Sequence, residues 1–295
     1  MRSRLLPTLL SFLLLMSGAA FAEAQDARQA ESQAAFEAAG KVARPGPTSV
    51  DISNQARLSL PDRYVFVPQP EAGRVLRAMG SNGGSSDVGI IFPRGEQLEW
   101  FATLRFEPSG YVKDEEARSW DADALLKNLS EGVEAGNEER QSRGFAAWEV
   151  RGWVEKPAYD EANRRLVWSA LIADKGRQGG SVNYNTYVLG REGYVSLNLV
   201  TDQMSIERFK EDARTLLTAI AFEPGKRYTD FNAATDHVAE FGIAALIGGI
   251  AAKKLGLLAI AGVFLLKIWK LAALAVVGAA AAARKFFSGG EKKQA

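Results

Sequence analysis

The sequence predicts an α+β protein: an antiparallel sheet, folded as a meander and packed with helices, followed by a C-terminal transmembrane helical region. Three observations carry this expectation. The stretches 145–154, 165–173, 181–189 and 194–200 alternate apolar and polar residues and are joined by short turn-rich links, the pattern of half-buried strands connected as hairpins. Residues 204–222 then space Ile206, Phe209, Ala213, Leu216, Leu217 and Ile220 at helical intervals, so one face of a helix can cover one face of the sheet. Finally, Phe241–Ala283 runs for 43 residues in which the only charges are Lys253, Lys254, Lys267 and Lys270.

In chain order, Met1-Arg2-Ser3-Arg4, the apolar run from Leu5 to Gly18 and Ala20-Phe21-Ala22 form a secretory signal peptide over residues 1–22, cut before Glu23. An uncleaved N-terminal anchor is the alternative. Residues 23–48, rich in Ala, Gln and Glu and closed by Arg44-Pro45-Gly46-Pro47, read as a helical or disordered leader. The domain proper is expected over residues 49–240. Within it, Leu58-Ser59-Leu60-Pro61 and Tyr64-Val65-Phe66-Val67 read as strand, turn, strand, and Pro70–Met79 as a helix stopped by Gly80. The glycine- and serine-rich loop 81–86 lacks the lysine of a phosphate-binding loop. Residues 88–92 and 98–106 are strand-like, and 124–140 helical with Asp121 and Asp123 as cap and first-turn residues. Asp114-Glu115-Glu116 reads as a solvated run, and Trp153 and Trp168 as core.

Composition narrows the function. The chain has no cysteine and one histidine, which removes thiolate catalysis, disulfide staples and cysteine-based zinc sites. No metal and no cofactor are expected. Residues 23–240 carry 26 basic and 34 acidic side chains, a net of −8. That balance argues against nucleic acid, whose binding rests on Lys and Arg at phosphates. His237, the single histidine, sits just before the apolar region, and there is no G-x-S-x-G elbow to pair with it.

A bilayer core takes about 20 apolar helical residues, yet the lysines cut 241–283 into pieces of 12, 12 and 13 residues. A single tilted span with the membrane-interface lysines snorkelling to water satisfies this, as do a re-entrant or two-pass hairpin and an in-plane helix. Ala244, Gly248, Ala252 and Gly256 recur every fourth residue, a spacing that suits helix–helix packing in membranes and raises a homo-oligomer built through that face. The basic tail 284–295, with Arg284, Lys285, Lys292 and Lys293, belongs on the cytoplasmic side by the positive-inside rule. The expected location is the bacterial cytoplasmic (inner) membrane, with the bulk of the chain periplasmic.

Polar groups at strand ends and turns are the candidates for a surface binding site: Tyr159, Asp160, Asn183, Tyr184, Asn185, Arg191 and Glu192. Turn formation and local ion pairing explain the same residues without function. No catalytic residue is assigned.

Gly152-Trp153, Pro157-Ala158-Tyr159-Asp160, Leu166-Val167-Trp168, Val182-Asn183-Tyr184 and Leu189-Gly190-Arg191-Glu192-Gly193, with Gly225-Lys226-Arg227-Tyr228-Thr229-Asp230-Phe231, Asp236 and Ala251–Leu257, resemble the domain of unknown function 2167 family. The resemblance spans roughly Ser49–Lys270. It implies a prokaryotic membrane-anchored protein, and a loose suggestion attached to the family concerns amylopullulanase regulation. It implies no catalytic set. The expected function is therefore a non-enzymatic binding, accessory or sensor domain of the cell envelope with a protein or envelope partner. An envelope glycan hydrolase using carboxylates and an oligomeric membrane assembly on the C-terminal helix are the alternatives.

Overall fold

The computed structural model describes residues 29–81, 87–95 and 99–248. The signal peptide, the loop 82–86, Ala252, Gly256, the four lysines of the apolar region and the basic tail lie outside the described residues. In chain order the elements are α1 (residues 29–42), β1 (Arg44–Pro45), β2 (Thr48–Ile52), β3 (Ala56–Leu60), β4 (Tyr64–Pro68), α2 (Glu71–Ala78), β5 (Asp87–Pro93), β6 (Trp100–Glu107) and β7 (Tyr111–Lys113). Then come α3 (Ala122–Ala135), α4 (Asn137–Ser142), β8 (Trp148–Asp160), β9 (Arg165–Asp174), β10 (Ser181–Leu189), β11 (Tyr194–Asp202), α5 (Ile206–Thr218), β12 (Ile220–Phe222), β13 (Val238–Gly242) and α6 (Ala245–Gly248).

Eight strands form one antiparallel sheet in the order β1-β4-β5-β6-β11-β10-β9-β8. The meander β8 to β11 is one half of it, and β11 joins it to β6. Because side chains alternate across a strand, the register divides the sheet into two faces. The front carries Tyr64, Phe66, Ile91, Trp100, Leu104, Tyr184 and Leu197, all buried. It packs against α5 and a three-stranded sheet, β12-β3-β2, through Ile206, Phe209, Leu216, Val50 and Leu58. Among the described residues, the back is covered at its two ends only. Ala35 and Ala39 of α1 and Val75 and Leu76 of α2 close over Val67, Ile90 and Phe92. Leu125 of α3, Val112 of β7 and Ile243, Leu246 and Ile247 close over Leu166, Trp168 and Ala170.

Several sequence expectations change in detail. The helix expected over 124–140 is two, α3 and α4, with Gly136 between them. Asp121 caps the first by accepting from the Asp123 and Ala124 amides at 2.9 and 3.2 Å. The helix expected over 204–222 ends at Thr218, and Ile220–Phe222 pairs with β3 instead. Lys156–Asp160, read as a turn, is the end of β8. Pro157 fits there because β8 is an edge strand with irregular register and loses no ladder bond on its open side. Residues 29–42, read as leader, pack into the domain.

The largest change concerns the apolar region. Its first eight residues, Phe241–Gly248, end β13 and form α6, and Ile243, Leu246 and Ile247 are 0, 5 and 1% exposed. Of the residues placed on a helix–helix face by their spacing, Gly248 meets α3 of the same chain, where a Cβ on it would stand 2.9 Å from Asn128 Cβ, and the Ala244 amide donates to Glu116 at 3.4 Å. Among the described residues no helix is long and apolar enough to cross a membrane.

Candidate functional site

Between its covered ends no described residue covers the back face of the sheet over β6, β11 and β10, and there the alternation delivers polar groups. Thr103 on β6 faces Asn198 on β11, which faces Asn185 on β10, a polar row across three strands at about 4.8 Å per step. Asn183, Ser196 and Arg105 stand on the adjoining rows. These groups line a cavity of about 440 Å³ walled by Leu76 and Met79 of α2, Ser81, Trp148 and Ile172.

The floor is held in place by local bonds. The Asn185 amide nitrogen donates to the Asn183 carbonyl at 3.1 Å. Arg105 forms an ion pair with Asp87, whose side chain is 1% exposed, so that carboxylate is answered from inside the fold. The Asn198 side-chain oxygen is buried and has no hydrogen-bond partner among the described residues. A buried acceptor left this way costs about 1–3 kcal/mol. No Asp or Glu is among the described residues lining the cavity.

α4 builds the rim. Asn137 both accepts from the Trp148 amide at 2.7 Å and donates to the Trp148 carbonyl at 2.9 Å, which locks the start of β8 against the helix. Arg140 sits over Trp148, its guanidinium carbon 3.5 Å from the ring centroid. It donates to the Ala146 carbonyl at 2.6 Å and the Gly80 carbonyl at 3.2 Å. Burial pulls its pKa down while Asp174 acts the other way, and an arginine stays charged throughout. Arg143 donates to the Ser81 carbonyl at 3.3 Å. A second cavity of about 260 Å³, lined by Gly132, Asn137, Arg140 and Arg143, shares Ser81 and Trp148 with the first.

Of the residues singled out in the sequence, Asn183 and Asn185 line this cleft. Tyr184, between them, points to the other face and is 0% exposed in the front core. The remaining four belong to clasps. Tyr159 donates to Asp114 at 2.6 Å, and Arg164 adds a 2.5 Å bond to the same oxygen. Burial pushes the Asp114 carboxyl up, but these bonds and that from Tyr228 outweigh it and hold it below its ordinary pKa. Asp114 is thus a paired group, 15% exposed, and not the solvated residue expected from its acidic neighbours. Asp160 accepts from the Asn163 backbone and side chain in the β8–β9 turn. Arg191 grips Asp236 with two bonds of 2.6 and 2.8 Å, which with the Asn232 amide keep that carboxyl well below the usual range. Glu192 receives Lys226 at 2.8 and 2.9 Å and Gln55 at 2.9 Å.

The motif Leu189–Gly193 and the motif Gly225–Phe231 with Asp236 therefore bind one another. Gly193 is part of the same fastening, since a Cβ there would lie 2.0 Å from the Glu107 carbonyl oxygen. Thr103, Arg105, Ser196, Asn198, Arg140 and Trp148 escaped the sequence reading. The trace they leave is Asn183-x-Asn185 and Ser196-x-Asn198, polar pairs at one strand parity, which point to a common surface only once the β10–β11 register is known. Among the described residues no cluster of three His, Asp or Glu could hold a metal ion.

Among solved structures, the chain is similar to cyanobacterial PsbP (CyanoP) from Synechocystis sp. PCC 6803, at 9% identity, 59% of this chain, 90% of that chain and a TM-score of 0.40. It is also similar to the Saccharomyces cerevisiae Ran-binding protein Mog1p, at 8% identity, 59% of this chain, 94% of that chain and a TM-score of 0.31. Likenesses at this level carry no argument about ligand or partner. No curated protein matches. Residues 44–278 match the family described as "Protein of unknown function (DUF2167)", a match that takes in both clasp motifs, the cleft and most of the apolar region. The chain belongs to that family, DUF2167.

Proposed function

We propose that this protein is a membrane-tethered, extracytoplasmic binding module of the bacterial envelope, and that the cleft over β6, β11 and β10 receives its ligand. The observation that carries the reading is the middle of the back face, which no element among the described residues covers. An apolar gap there would be filled by another helix, whereas this one is floored by Thr103, Asn185 and Asn198 and held open by separate helices on either side. A concave site with a few convergent polar groups is the usual form of a ligand site. The tether reading rests on the signal-peptide pattern and on residues 249–283, still 35 residues long after α6, with their paired lysines and the basic tail beyond. Binding is favoured over glycan hydrolysis because hydrolysis needs two carboxylates flanking the bond, and the described lining of the cleft offers none.

The test is site-specific photo-crosslinking of the full-length protein in its native membrane. A photoreactive residue at Met79, on the cleft wall, should give defined adducts, while one at Glu211, on the exposed side of α5, should not. Adducts from Glu211 alone, or none from Met79, would remove the cleft from consideration.

A further inference from the structure

The chemistry of the cleft restricts what can occupy it. Asn183, Asn185 and Asn198 each present a donor and an acceptor on one carboxamide, the complement of a hydroxyl group, which also does both. A fully deprotonated inorganic anion such as sulfate offers only acceptors and answers only the N–H half of these carboxamides. A ligand that both donates and accepts matches the set better.

The adjoining cavity, which shares Ser81 and Trp148 with the cleft, adds a charge preference. Arg140 uses two donors on the Ala146 and Gly80 carbonyls, and its Nη2 has no hydrogen-bond partner among the described residues. These two bonds and the Trp148 ring beside it hold the guanidinium in place, and a held guanidinium with N–H groups to spare is suited to a carboxylate or phosphate. No carboxylate is among the described residues lining either cavity, although residues 23–240 are acidic overall. At physiological salt that wider negative charge is screened beyond about 8 Å, so groups in contact decide the preference.

We infer that the cleft takes a hydroxyl-rich anion, an acidic saccharide long enough to span both cavities, whose hydroxyls lie on the Thr103–Asn198–Asn185 row and whose negative group meets Arg140 in the adjoining cavity across Ser81 and Trp148. The inference rests on the reading of this cleft as the ligand site. The negative group has two sources, a uronate carboxylate or a sugar phosphate, and both share the chemistry.

Titration of the full-length protein in detergent micelles, followed by calorimetry and tryptophan fluorescence, tests it with four probes: trigalacturonate, maltotriose, maltotriose 1-phosphate and inorganic phosphate. At least one charged sugar should bind tenfold or more tightly than both maltotriose and inorganic phosphate, and which one binds identifies the source of the charge. Arg140→Gln should abolish that preference, Arg140→Lys should retain part of it, and Asn198→Leu should weaken the charged sugar and maltotriose alike. A thermal melt of each variant separates lost binding from lost folding. Maltotriose binding as tightly as the charged sugars, or a preference unchanged in a folded Arg140→Gln, overturns the anionic assignment and leaves the cleft as a ligand site. No binding of any probe overturns the saccharide assignment, while photo-adducts from Met79 judge the binding-module reading independently.

Discussion

Ending the chain at Glu240 and ending it at Gly248 should have opposite consequences, although both remove the lysine-bearing apolar region. Residues 241–248 contribute Ile243, Leu246 and Ile247 to the core over β9, at 0, 5 and 1% exposure. Burying a side chain of this kind is worth about 1.5–3 kcal/mol, so the shorter form forfeits about 4.5–9 kcal/mol, an upper estimate because unfolded chains already bury some apolar surface. It also leaves the Lys113 carbonyl without the Ile243 amide, 2.9 Å away. Set against a typical domain stability of about 5–15 kcal/mol, this brings the form ending at Glu240 to the edge of unfolding. The form ending at Gly248 keeps every one of these contacts. Urea titration of the two forms, each beginning at Glu23 and followed by tryptophan fluorescence and near-UV circular dichroism, makes the comparison. A much lower midpoint, or no cooperative transition, is expected for the shorter form. Equal midpoints would refute the placement of α6 in the core and return Phe241–Gly248 to the membrane segment. In the full-length chain, Ile247→Ala should cost about 2–5 kcal/mol, and Gly248→Leu should destabilise by forcing α6 off Asn128 of α3.

Three other perturbations probe the clasps and the core. The Asp114 carboxyl holds its proton less tightly folded than unfolded, so it contributes stability above about pH 4, the unfolded value, and loses it as pH falls through the lower folded pKa; Asp114→Asn should flatten that acid limb of a melting-temperature profile, and an unchanged limb would count against the Tyr159–Asp114–Arg164 clasp. Gly193→Ala sets a Cβ 2.0 Å from the Glu107 carbonyl oxygen, and backbone cannot yield as a side chain can, so a melting temperature lowered by several degrees is expected; a shift of less than a degree would show the β10–β11 turn to be looser than described. Trp168→Glu places a charge at a site 5% exposed and packed edge-on against Trp153, which should prevent folding at neutral pH. A native-like near-UV spectrum for that variant would remove Trp168 from the core.

Much of the fold was legible in local pattern. β9 and β10 fall within a residue of their alternating stretches, α5 shows its core residues at helical spacing, and Asp121 announces the start of α3, because each of these signals depends on near neighbours along the chain. Elements sustained by distant partners were missed or misread. β12 exists because Ala56–Leu58 pairs with it, β7 and β13 because they lie side by side, and the end of β8 is a strand despite Pro157 because it runs along an open edge. Arg191 and Glu192 read as surface groups because Asp236 lies 45 positions from the first, and Lys226 lies 34 from the second.

By itself the sequence determined the α+β class, the order of the central strands, the acidic balance of residues 23–240 and the family. It also showed that the chain ends in a long apolar stretch. Only the tertiary structure decided that the first eight residues of that stretch belong to the domain. Hydropathy reports the tendency to leave water, and a protein interior and a bilayer reward it alike, so Phe241–Gly248 could be assigned to the end of β13 and to α6 only by finding Leu125, Asn128 and Trp168 around it. The cleft depended on the tertiary structure for the same kind of reason. Asn185, Asn198 and Thr103 lie on three strands spread over 96 positions, and it takes the pairing register, and the absence of a covering element over that row among the described residues, to make them one surface.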